Sequence, residues 1–100
     1  MADVLLNLIM TNDVAQHVED LLLKHTELVR GFTASQAEGH GAVVSLVEPG
    51  EQVSGHSPRT RIQAAGPEDA MRSLLALIKA DLPRANIYYW LLPVIDMGRL

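Results

Sequence analysis

The sequence predicts an α+β fold. Four strands form one antiparallel sheet, and two helices pack on one of its faces, in the order β-α-β-β-α-β. Three observations lead there. Segments 13–25 and 67–82 carry apolar residues at helical spacing behind helix-start chemistry. Segments 4–10 and 87–94 are apolar on both alternating faces, as strands covered on both sides are. Two more polar strands flank a mid-chain stretch punctuated by Gly and Pro.

The first strand runs from Val4 to Met10, with Val4, Leu6, Leu8 and Met10 on one face and Leu5, Asn7 and Ile9 on the other. Asn7 is the one polar residue. It reads as hydrogen-bonded within a subunit contact, because buried polar groups are normally satisfied; a ligand contact is the alternative. Thr11-Asn12-Asp13 supplies an N-cap. Val14, Val18, Leu21, Leu22 and His25 then mark a helix to His25, with Asp13, Glu19 and Asp20 early and Lys24 late, which suits the helix dipole. His17 and His25 lie eight positions apart, too far along the axis to share one ion.

A less buried second strand is expected from Leu28 to Glu38. A long loop follows at about 39–58, holding Gly39, Gly41, Pro49, Gly50, Gly55 and Pro58. Long loops in compact domains are usually functional or disordered, so this is the expected functional element. In the third strand, 59–65, Thr60, Ile62 and Ala64 face one way and Arg59, Arg61, Gln63 and Ala65 the other. Pro67-Glu68-Asp69 starts a helix, Met71, Leu74, Leu75, Ile78 and Leu82 form its stripe, and Pro83 stops it. The last strand, Ile87 to Val94, holds both tyrosines and the single tryptophan. This order is the ferredoxin-like architecture. Its helices cover one sheet face, which leaves the apolar residues of the other for a partner subunit.

The chain of 100 residues suits a single domain spanning 1–100. It is 48% hydrophobic and 20% charged, which is globular. A net charge of −4 argues against binding to nucleic-acid phosphates. With no cysteine, a disulfide scaffold, a zinc ribbon and a thiol nucleophile are excluded. Neither a secretory leader nor a membrane-length apolar run is evident, so the expected location is cytoplasmic, without membrane insertion.

Candidate chemistry concentrates around the loop. His40 and His56, with Glu38, Glu48 and Glu51 nearby, are the candidate ligands for zinc, copper, cobalt or nickel, set against the plain alternative of solvated loop histidines. Arg59 and Arg61 share a strand face and suit an anionic ligand or an intersubunit ion pair. No Ser-His-Asp pattern, P-loop, HExxH or nucleophile elbow is present, and no catalytic residue is assigned. The enzyme alternative is a ferredoxin-like monooxygenase with Asn7 and Trp90 in a cavity between sheet and helices. A passive oligomeric adaptor is a third reading.

The chain resembles the PII-like superfamily of small trimeric regulators. The likeness rests on the element order, on the long loop between the second and third strands, and on the closing run from Ile87 to Asp96. It is most similar to a family of uncharacterised PII-like proteins through Gly31-Phe32-Thr33, Glu38-Gly39-His40-Gly41, Glu51-Gln52-Val53 with Gly55, Tyr89 to Val94, and Gly98-Arg99-Leu100. That family is associated with heavy-metal efflux systems. The resemblance implies a non-enzymatic homotrimer that senses a metal ion or regulates a membrane transporter. It also implies a ligand cleft between subunits built from the loop, including Glu51, with Arg59 and Arg99. ATP-binding PII proteins carry a Gly-Asp-Gly-Lys turn before the last strand. Here that turn is Pro83-Arg84-Ala85-Asn86, without glycine or lysine, so the resemblance leaves open whether any nucleotide binds, and ATP and 2-oxoglutarate are not assigned as ligands.

Overall fold

A computed structural model describes residues 2–40 and 57–100. The strands are β1 (Asp3–Met10), β2 (Thr33–Gly39), β3 (Ser57–Pro67) and β4 (Tyr88–Val94), and the helices are α1 (Asn12–Lys24) and α2 (Glu68–Asp81). They form one sheet in the order β2-β3-β1-β4, antiparallel throughout. This is the predicted ferredoxin-like fold.

β1 lies at the centre because it can be buried on both faces. Its even residues Val4, Leu6, Leu8 and Met10 are covered by the helices. Across the register, Leu6 meets Ala64 and Leu91, while Leu8 meets Ile62 and Tyr89. Ala15, Val18 and Leu22 of α1 and Met71, Leu74 and Ile78 of α2 close this core from above. Each large side chain buried there contributes about 1.5–3 kcal/mol relative to exposure.

The chain enters α2 directly from β3. Pro67 is the last strand residue and the N-cap, and Glu68 and Asp69 lie in the first turn. Glu68 accepts from Arg72 Nε at 2.8 Å, one turn on. Its backbone N–H donates to Ala2 O at 3.0 Å, which pins the start of β1 to the start of α2.

The second strand differs from its sequence expectation. It starts at Thr33, not at Leu28. The N–H groups of Leu28 and Val29 both donate to His25 O, at 3.0 and 3.1 Å, and continue the exit turn of α1. Val29 is apolar because it enters the core from that turn. The loop is also shorter at its edges than 39–58. Gly39 pairs with Ser57 and Glu38 with Pro58, so the ladder extends to both rims.

Candidate functional site

The helix-free face of the sheet gathers large apolar side chains around a part-buried polar pair. Its middle row, read across the register, is Thr33, Gln63, Asn7 and Trp90. On one side lies the row Ser35, Arg61, Ile9 and Tyr88; on the other lie Ala65, Leu5 and Leu92. On β4 the exposed members are Tyr88 at 38%, Trp90 at 43% and Leu92 at 47%. The tail continues this character with exposed Ile95, Met97 and Leu100. Large apolar groups gathered on one face mark an interaction surface.

Asn7 and Trp90 therefore lie on the face away from the helices. The oxygenase reading needed them between sheet and helices, and that layer is filled by Leu6, Leu8, Met10, Ile62, Met71 and Leu74. A recess of about 360 Å³ does open at its edge, beneath the C-terminal end of α2. Leu8, Leu75, Ile78, Leu82, Ile87 and Tyr89 line it, with Lys79 also present, and neither Asn7 nor Trp90 takes part. Sequence reasoning missed this recess. Its only trace is the run of short or turn-forming residues from Pro83 to Asn86 that separates α2 from β4.

The predicted ligand residues are scattered within one chain. Arg59 stands on the helix-free face at the loop end of β3, only 8% exposed, and its Nη1 donates to Pro58 O at 2.9 Å. Arg99 lies exposed in the tail beyond β4. Val94 pairs with Asp3, whereas Thr60, next to Arg59, pairs with Met10. The tail that carries Arg99 thus leaves β4 at the end of the sheet opposite to Arg59, the length of β1, about 23 Å at the usual strand rise, away. His40 is exposed just past β2, with its Nε2 at 3.4 Å from Glu38 Oε2. Glu51 and His56 lie outside the described residues. Among the described residues, no three His, Asp or Glu side chains are grouped to hold a metal ion.

Among the described residues, two carboxylates are perturbed. The Thr11 hydroxyl, which makes no capping bond to the helix amides, hydrogen-bonds Asp13 and lowers its pKa; amides at the helix start and His17 add to this. His25 Nδ1 lies 2.9 Å from Glu27 Oε1, and that hydrogen bond lowers the pKa of Glu27. Both groups are on the surface and belong to helix termini, away from the sheet face. No described helix is long and apolar enough to cross a membrane.

Solved structures share this fold. A DUF3240 family protein from Shewanella baltica OS155 is 21% identical, with a TM-score of 0.81 over 100% of this chain and 98% of that one. CPII from Thiomonas intermedia K12, a nitrogen regulatory PII-like protein bound to ADP, AMP and bicarbonate, is 20% identical. Its TM-score is 0.72, over 100% of this chain and 97% of that one. PII from Arabidopsis thaliana, bound to citrate, is 19% identical with a TM-score of 0.72, over 99% of this chain and 81% of that one. No curated protein matches the sequence. The model of a family described as protein of unknown function, DUF3240, matches residues 1–100. The chain belongs to the DUF3240 family, and its fold is that of the PII-like proteins.

Proposed function

We propose that this protein is a non-enzymatic regulator of the PII type that works as a homotrimer joined through the helix-free sheet face. The observation that carries this reading is the alignment of Tyr88, Trp90 and Leu92 on that face, beside Ile9, Asn7 and Leu5 of β1. Solvent does not favour so much apolar surface on one strand, and closed symmetry removes it without leaving a free copy of the patch. Light scattering tests the assembly: the expected mass is about three times the 10.9 kDa of the chain. A monomer or dimer contradicts it.

A trimer also offers a way to gather the separated ligand residues. In this reading a cleft between subunits combines Arg59 and the 39–58 segment, with Glu51, from one copy and Arg99 from the next. The sensed signal is a divalent metal ion, held by His40 and His56, and the output acts on a membrane transporter such as an efflux component. This part rests on the resemblance and on the exposed imidazole of His40 beside Glu38. A cytoplasmic location follows from it and is tested by cell fractionation. A thermal-shift screen of divalent metals and adenine nucleotides tests the ligand, because a native-state ligand raises apparent stability. The nucleotides are included because the Thiomonas protein holds ADP and AMP.

A further inference from the structure

Asn7 stands at the centre of the helix-free face, 3% exposed. Its Oδ1 accepts from Gln63 Nε2 at 2.8 Å, but its buried Nδ2 has no hydrogen-bond partner. A buried donor without an acceptor carries its full desolvation cost. An apolar residue would avoid that cost, as Leu5 and Ile9 do on either side along the same face of β1. The partner atom that would complete the pair is on the same row. Gln63 donates through Nε2, and the same half-buried amide carries an acceptor, Oε1. The pair therefore presents one unpartnered donor and one amide acceptor between the apolar residues Leu5, Leu92, Ile9 and Tyr88. That arrangement is self-complementary.

We infer that the Asn7–Gln63 pair is a polar register lock between copies of this chain: Asn7 Nδ2 donates to a side-chain oxygen of the same pair on a neighbouring copy. The inference rests on the proposed assembly and adds what fixes its geometry. The apolar residues beside the pair, Leu5, Ala65 and Leu92 on one side and Ile9 and Tyr88 on the other, slide against another copy at little cost, because hydrophobic contact is non-directional. A single buried amide in such a surface penalises every alignment that leaves it unpaired, and buried polar residues set register and oligomer state in this way in coiled coils. Reaching Nδ2 requires one flanking side chain to turn aside, and Trp90, its register neighbour on β4, is exposed enough to do so. Head-to-tail donation from each copy to the next closes into a ring.

Native mass spectrometry and light scattering on the wild type, Asn7→Leu and Gln63→Leu test this, with circular dichroism as the check on folding. The wild type is expected to give one trimeric mass. Both variants are expected to associate still, through Leu5, Ile9, Tyr88 and Leu92, but to split into two or more oligomeric masses. Gln63→Leu is the safer of the two for folding, because Gln63 is only partly buried. If the variants are folded and keep the single wild-type mass, the lock is wrong and the trimer stands. A monomeric wild type overturns the assembly reading and the lock together.

Discussion

Thr60 Oγ1 donates to Asn12 Oδ1 at 2.7 Å and joins β3 to the first residue of α1. Thr60 is buried on the helix side of the sheet, level with Met10, so the bond fixes where α1 begins relative to the loop end of the sheet. Thr60→Val keeps the shape and removes the donor. Asn12 is exposed and its oxygen can turn to water. The expected loss is therefore the net value of one hydrogen bond, about 1 kcal/mol. In urea it should appear as a lower midpoint with an unchanged slope.

Leu74 of α2 is fully buried against the sheet, whereas Leu23 of α1 is largely exposed. Leu74→Ala is expected to destabilise by about 2–5 kcal/mol, since it removes contacts and leaves a cavity. Leu23→Ala should stay within about 0.5 kcal/mol. Denaturation of both variants checks the assigned helix faces. Equal losses would mean that the stripe of α1 or α2 is misplaced.

Much of this fold is legible from local pattern. Pro67-Glu68-Asp69 and Pro83 bracket α2, and the doubly apolar faces of β1 and β4 point to a central strand and to a face awaiting cover. Segment 28–32 misleads, because Leu28 and Val29 look like strand residues but close the exit turn of α1 onto His25. Alternation does not show a backbone that bonds to its own preceding helix. The site is less legible for a related reason. Arg59 and Arg99 look equally available as cations, yet one folds back on Pro58 O and the other sits in a tail that leaves β4 at the opposite end of the sheet. The Asn7–Gln63 bond spans 56 positions and follows from strand register, which composition does not encode.

Metal binding at His40 has a direct test. In the proposed reading His40, with Glu38 beside it, is part of a ligand set that needs further donors from elsewhere in the protein. Calorimetry should show near-stoichiometric heat with one of zinc, copper, cobalt or nickel, and His40→Ala should abolish it. No heat with any divalent ion removes the metal reading and leaves the regulatory assembly to be judged on its mass.

Asp13 gives a pH-dependent prediction. The Thr11 hydrogen bond, helped by the amides of the first turn, favours its ionised form in the folded state and lowers its pKa. A lowered carboxylate pKa contributes stability above the unfolded value, about 3.9, and that contribution is lost as pH falls through the folded value. Asp13→Asn should therefore cost about 0.5 kcal/mol at neutral pH, the scale for an exposed carboxylate at a helix start. The difference should shrink as pH falls below about 4 and on through the lowered folded value. A difference that is constant across this range would mean that the charge of Asp13 does not contribute.

Trp90 is the most direct probe of the helix-free face. It is 43% exposed and lies on the edge strand opposite Asn7. Its partial exposure predicts that Trp90→Glu will leave the fold in place, since the core on the helix side does not include it. A carboxylate buried at a subunit contact without a partner is strongly unfavourable, so the same change should dissociate the assembly to monomers. The decisive observation is a native far-ultraviolet spectrum together with a single-chain mass. If Trp90→Glu is folded and still trimeric, subunits meet through another surface, and the exposed tail around Ile95 and Leu100 becomes the next place to look.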